Sequence, residues 1–238
     1  MICIKNGALT RELIMKRYAG SWDVFNEQVL SRPIGNEGCL GFYFTLKEII
    51  PDGVIGDHFF VNGQKLRPDN ASGFPDTAHA RAVLESQLLS IKSRMKDILQ
   101  GGTSSLKRCI FTGGSSVNPA IRLMIADILG VPVYVAPQGT GNSAAAGGAL
   151  LAKYAWWRAR NVKSASEAVA QGGVLGTSLS STTEKSLNTP DLTFEQMRNA
   201  TSGLAVEWVA SPEPRNAAYY DGMVDEFRRC EGMIIKGL

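Results

Sequence analysis

Histidine is scarce in this chain. His58 and His79 are the only two in 238 residues, and neither has a second ligand at metal-binding spacing. Cysteine is almost as sparse: Cys3, Cys39, Cys109 and Cys230 are far apart and form no CxxC pair. That spacing excludes the common zinc and dithiol motifs and predicts free thiols in a reducing compartment. Long apolar runs are also lacking, and the N-terminus has no basic segment leading into one. Neither a membrane span nor a secretory leader is expected, and the expected location is the cytoplasm. No sign of charge dominates either. The net charge is +3 and no more than two Lys or Arg residues are adjacent, which argues against a nucleic-acid or membrane-surface partner. What remains is a chain long enough to bury a sizeable core, 44% hydrophobic and 20% charged, as ordinary globular proteins are.

The order of patterns along the chain predicts an α/β protein. "MICIKNGALTRELI" reads as two strand patterns around Asn6-Gly7, a strong hairpin signal. "SWDVFNEQVLSR" reads as a short helix capped by Ser21 and closed before Pro33. "GNEGCLGFYF" is a glycine-rich turn feeding an aromatic strand, "DHFFV" is a second short strand, and residues 62–76 read as loop. A long helix is expected from Asp76, its N-cap, to Leu99, with Leu84, Leu88, Ile91, Met95 and Ile98 on one stripe. Strand 107–112, helix 119–129, strand 132–136 and helix 142–157 then alternate, as parallel strands with crossover helices do. Residues 160–192 are poor in large apolar side chains and read as a Ser/Thr/Gly-rich surface insertion. A last helix from Pro214 to Met233 buries Tyr220, Met223, Val224 and Phe227. No internal repeat is evident, so one domain with one long excursion is expected.

The stretch that bears on chemistry is "CIFTGGSSVNPAIRLM". An apolar strand stops at Gly113 and Gly114, and a helix follows. Two readings stand. The glycines permit a tight turn, or they let a ligand reach the backbone beside a helix start, where free N–H groups favour negative charge. The stretch is no Walker A loop, since no Gly-Lys-Ser/Thr follows, and it is not the GxGxxG dinucleotide fingerprint. Asn118, just before Pro119, has the same two readings: an N-cap, or an amide that hydrogen-bonds a purine.

"FTGGSSVNPAIRLMIADILGVPVYV" followed by "GNSAAAGGALLAKY" resembles the C-terminal lobe of the FGGY family of carbohydrate kinases. The eukaryotic-type xylulose kinases are the most similar branch, where "ICIKNGALTRELI", "GNEGCLGFYF" and "ARAVLESQ" occur in the same order. The resemblance covers most of the chain, and residues 160–192 and the far C-terminus are least constrained by it. It implies an actin-like (RNase H-like) ATPase lobe, a mixed sheet flanked by helices. It also implies transfer of the ATP γ-phosphate to a ketose hydroxyl, D-xylulose to D-xylulose 5-phosphate. By position, Gly114 and Ser115 would lie against the nucleotide, Gly113 would shape the turn, and Asn118 would reach the adenine. Trp22 matches a tryptophan that lines the nucleotide site, although it also reads as the buried anchor of a short helix. Ala144 to Gly148 matches a tightly packed helix. The cofactors implied are ATP and Mg2+, the metal held mainly by the nucleotide and the other lobe.

The departures from the family are equally specific. The family's sugar-binding N-terminal lobe, its aspartate general base and the first strand of this lobe's sheet have no counterpart in the sequence. A Gly-Thr-Ser occurs in "GVLGTSLSS" at 173–181, but out of order and within the insertion. Asp76 and Asp127 are available carboxylates, and neither is nominated as a base. Alone, the chain is expected not to phosphorylate xylulose, to reach ketose only through the N-terminal lobe, and to self-associate through an unpaired sheet edge. The rival readings are a nucleotide-binding or scaffold protein without catalysis, and a kinase for another polyol or ketose.

Overall fold

The segment 8–14, Ala-Leu-Thr-Arg-Glu-Leu-Ile, forms helix α1 (Ala8–Ile14) where the Asn6-Gly7 pair predicts a hairpin. The reason lies in what Asn6 is used for. Its side chain exchanges two hydrogen bonds with the backbone of Leu46, at 2.7 and 2.8 Å, as a strand neighbour would. Glu48 completes the lock, accepting from the backbone N–H of Lys5 at 2.7 Å and of Asn6 at 3.0 Å. Burial pushes the Glu48 carboxyl up, but these hydrogen bonds outweigh it and hold the group below its ordinary value. With Asn6 so committed, residues 8–14 follow helix propensity, and Glu12 pairs with Lys16 one turn on at 2.7 Å.

The computed structural model describes residues 1–67, 73–99, 105–136, 145–156, 158, 193–194 and 206–237. A π-helical turn (Met15–Ala19) follows α1 and ends at Gly20; helix α2 (Trp22–Ser31) comes next, its Ser21 hydroxyl accepting from the Val24 N–H at 3.3 Å. Strands β1 (Cys39–Phe44), β2 (Gly56–Val61) and β3 (Gln64–Lys65) form an antiparallel sheet in that order. Asp76 opens a short 3₁₀ turn (Asp76–Ala78) with Pro75 in the cap position, so the predicted Asp76 cap does not form. Helix α3 (His79–Ile98) continues from it. Strand β4 (Cys109–Phe111), helix α4 (Pro119–Leu129) and strand β5 (Val133–Val135) make the expected parallel crossover. Strand β6 (Glu207–Ala210), which sequence pattern did not reveal, pairs antiparallel with β5 and puts β5 in the middle. Helix α5 (Pro214–Ile235) closes the chain.

Two compact units result, Met1–Val135 with Glu207–Leu238, and Ala136–Val206. In the second, residues 145–156 are helical as expected, and added Cβ atoms on Gly147 and Gly148 would have no heavy atom within 4 Å among the described residues. The excursion at 160–192 lies outside the described residues.

Helix α3 is the hub of the first unit, packing on β1, α1, α2, α4 and α5. That position explains where its expected stripe stops. Leu84 and Leu88 are buried, Ile91 and Met95 are partly buried, and Ile98 is 64% exposed. A helix covered on several sides must bury polar residues as well, and Arg81, Glu85 and Lys92 are almost wholly inside. Each is partnered: Lys92 donates to the Ile128 carbonyl at 2.6 Å and meets Asp221 at 2.8 Å.

Candidate functional site

At the end of β4 the chain turns through Gly113, φ +89°, into a short 3₁₀ turn (Gly114–Val117) that delivers it to α4. A left-handed φ explains glycine at 113. It does not explain Gly114, whose φ lies outside that region and whose added Cβ would meet nothing within 4 Å among the described residues. Gly35, by contrast, has both a positive φ of +72° and a crowded site where a Cβ would overlap the Tyr219 ring, whereas Gly7, Gly222 and Gly232 are as unconstrained as Gly114. Gly114 answers to neither constraint among the described residues. Both glycines are exposed.

Asn118 caps α4. Its Oδ1 accepts from the Ile121 N–H at 3.1 Å, and Pro119 takes the first helical position. The same side chain has a second use, since its Nδ2 donates to Asn26 Oδ1 at 2.8 Å. Asn26 lies four residues beyond Trp22 on α2, so the two share one helix face. The bond therefore ties the face that presents Trp22 to the start of α4. Trp22 itself is 39% exposed and rests edge-on against the buried Phe25 ring, with centroids 5.2 Å apart. It is a half-covered indole at a helix start rather than a buried anchor.

Ser115 accepts from Arg11 Nη2 at 3.0 Å, and Arg11 Nη1 donates to Gln87 Oε1 at 2.7 Å. Ser116 is held through its carbonyl by Arg122 Nε at 2.5 Å. Arg11 also borders an apolar cavity of about 400 Å³ lined by Leu84, Leu88, Ile91, Ile121 and Ile125. The structure thus brings Gly113, Gly114, Ser115 and Asn118 into one corner and links Trp22's helix to it. It adds Arg11, Asn26, Gln87 and Arg122, which sequence reading missed. Only Asn26 carried a readable signal, its four-residue spacing from Trp22.

The two carboxylates considered as bases are accounted for differently. Asp127 Oδ1 accepts from the Glu213 N–H and Oδ2 from Asn216 Nδ2, both at 2.8 Å, so it serves the first turn of α5. Asp76 sits beside His79, in another part of the fold. Among the described residues no group of three or more His, Cys, Asp or Glu side chains is placed to hold a metal ion. No helix among them is long and apolar enough to cross a membrane.

A strand, a glycine corner open to solvent and a capped helix form an arrangement suited to a nucleotide. Residues 58–156 match the FGGY family of carbohydrate kinases, C-terminal domain. Within curated proteins, the chain is 37% identical over 164 residues to xylulose kinase 2 of Arabidopsis thaliana, covering 66% of this chain and 29% of that protein. It is 37% identical over 153 residues to the xylulose kinase of Mus musculus, covering 64% and 26%. The chain therefore spans under a third of the length of these relatives. Among solved structures, the xylulose kinase of Rhodospirillum rubrum superposes with a TM-score of 0.62 at 16% identity, over 98% of this chain and 39% of that one. The ligand-bound xylulose kinase of Lactobacillus acidophilus gives 0.61 at 15%, over 97% and 38%. The chain thus shares the mixed α/β fold of these xylulose kinase structures over nearly its whole length.

Proposed function

We propose that this chain is the nucleotide-holding lobe of an ATP-dependent sugar kinase whose acceptor is a ketose of the D-xylulose type. The observation that carries the reading is the place of Gly114: between a strand end and a capped helix, with no described residue beyond its own turn within 4 Å of where its Cβ would lie. The kinship with xylulose kinases over about two thirds of the chain supports the choice of substrate class. Residues 1–238 are taken together as one lobe.

In this reading Gly113 turns the chain, Gly114 admits the nucleotide to the backbone, and Ser115 offers its hydroxyl. Asn118 has one amide hydrogen committed to Asn26, and a primary amide carries two, so the second is free for an adenine ring nitrogen. Trp22 supplies an aromatic face from α2. Mg2+, which would be held mainly by the nucleotide phosphates, would supply charge neutralisation there. Asp127, with both carboxylate oxygens engaged by α5, is not the base. The base and the ketose site belong to the remaining length that the relatives possess, so no sugar-dependent ADP production is expected from the 238 residues alone.

Titration calorimetry with ADP on the full chain and on Gly114→Leu tests the proposal. The open space lets the variant fold with an unchanged melting temperature, while its side chain occupies the ligand's place. Heat of binding in the parent and at least tenfold weaker binding in the variant are expected, by the same steric logic. A parent chain that gives no binding heat, or a variant that binds equally well, removes the reading.

A further inference from the structure

We infer that Arg11 is a positioning residue for the glycine corner: from α1 it holds Ser115 so that the serine hydroxyl is free to donate to an acceptor of the ligand. The inference rests on the nucleotide reading for its purpose, and on bonds within the chain for its geometry.

The holding is a relay. Gln87 Nε2 donates to the carbonyls of Asn6 at 2.8 Å and Gly7 at 3.2 Å. That fixes the amide, so its oxygen faces Arg11 and accepts from Nη1 at 2.7 Å. Arg11 Nη2 then donates to Ser115 Oγ at 3.0 Å. A hydroxyl has one hydrogen to give and lone pairs to receive. Once a guanidinium, which can only donate, occupies a lone pair, the serine's own hydrogen must point elsewhere. Donation from a cation also polarises the hydroxyl and makes it a better donor. The group it would meet is an acceptor, and a phosphate or ribose oxygen of the nucleotide qualifies.

The arrangement costs more than a stabilising contact would. Arg11 Nε is buried without a hydrogen-bond partner among the described residues. Among the described residues no carboxylate pairs with this guanidinium, and Glu12, its chain neighbour, pairs with Lys16 instead. A half-buried cation satisfied only by neutral acceptors is an unfavourable choice for stability alone. It is a favourable one beside a site that receives an anion.

The test combines Arg11→Gln, Ser115→Ala and the double variant. Amide hydrogen exchange is followed at Ser116 and Asn118, whose N–H groups bond to the carbonyls of Gly113 at 3.0 Å and Ser115 at 3.1 Å. Arg11→Gln is expected to speed exchange there about tenfold, the loss of one hydrogen bond, with α5 amides unchanged. ADP affinity is expected to fall about tenfold in each single variant, and no further in the double. Unchanged exchange, or losses that multiply in the double variant, overturn the inference. If Arg11→Gln does not fold, Ser115→Ala decides: undiminished ADP affinity in that variant overturns the inference. Absence of ADP binding by the parent chain defeats the nucleotide reading and this inference with it. ADP binding that Arg11→Gln leaves intact defeats this inference alone.

Discussion

Replacing Arg81 by Met isolates what the charges inside α3 contribute. Arg81 is 5% exposed and Glu85 is fully buried. Their ion pair measures 2.8 Å, and the Tyr220 hydroxyl, donating to Glu85 at 2.6 Å, accepts from Arg81 at 2.8 Å. Glu85 also accepts from the Gly35 N–H at 3.2 Å, while its second oxygen has no partner among the described residues. Arg81→Met leaves that carboxylate buried and uncompensated, a loss of about 3–5 kcal/mol. For a chain of this size each kcal/mol lowers the melting temperature by about 2–4 °C, so a fall of roughly 6–20 °C is expected. The pH dependence supplies a signature. Burial pushes the Glu85 carboxyl up even with Arg81 in place, and removing the guanidinium pushes it further. A carboxyl raised in the fold disfavours the folded state only when ionised. The variant is therefore expected to be most impaired near pH 8 and to approach the parent as pH falls towards the ordinary carboxyl value. Arg81→Met combined with Glu85→Leu removes both charges and should recover part of the loss. Recovery stays partial because Arg81 also donates to the carbonyls of Val29 at 2.7 Å and Arg32 at 3.0 Å. Urea unfolding followed by circular dichroism between pH 5 and 8 reads all three proteins. An Arg81→Met protein within about 1 kcal/mol of the parent at every pH would show that an unpaired Glu85 carboxylate costs little in this fold, and would refute the reasoning.

Two further perturbations bear on other parts of the chain. His79 is buried, stacks on Tyr18 with ring centroids 3.7 Å apart and shares a 2.8 Å hydrogen bond with the Tyr43 hydroxyl. Burial lowers its pKa from 6.5 to about 4, so stability is complete above 6.5 and declines as pH falls through that value towards 4, by about 3 kcal/mol in all. His79→Phe is expected to flatten this acid limb in urea melts, and an unaltered slope would assign the limb to other groups. Asn118→Ala strips the α4 cap and should cost about 1 kcal/mol, whereas Asn118→Asp keeps the cap acceptor but cannot donate to Asn26. The aspartate variant is thus expected to melt like the parent and bind ADP more weakly; equal ADP affinity in both would confine Asn118 to capping.

Sequence pattern carried the fold furthest where apolar spacing and turn chemistry agreed. Ser21, the aromatic run of β1, and the β4–α4–β5 crossover all appear where expected. It failed where a tertiary bond overrode a local signal. Asn6-Gly7 is a strong hairpin pair, yet Asn6 spends its side chain on Leu46, 40 residues away. It failed again at β6, four residues paired with β5, a strand ended more than 70 residues earlier. In the candidate site, the residues at the ligand side were legible because glycine and a helix cap are local features. The side chains that steady them were not. Arg11 and Gln87 lie 104 and 28 residues from Ser115, and no periodicity connects them.

That asymmetry has a physical basis. An open corner binds well only if little order has to be imposed when the ligand arrives, because each side chain or loop immobilised at that moment subtracts from affinity. Here the ordering is done in advance from three helices: Arg11 of α1 at Ser115, Asn26 of α2 at Asn118, and Arg122 of α4 at Ser116. The solvent side carries no side chain at Gly113 or Gly114. Holding the turn from within while keeping its outer face bare is costly if nothing binds there, since a bare turn gains no packing and Arg11 has no counter-charge among the described residues. A fold maintained for its own sake would relax at either point, by a side chain at 114 or an apolar residue at 11. Finding both costs at one corner argues for a ligand more strongly than either glycine or arginine does alone.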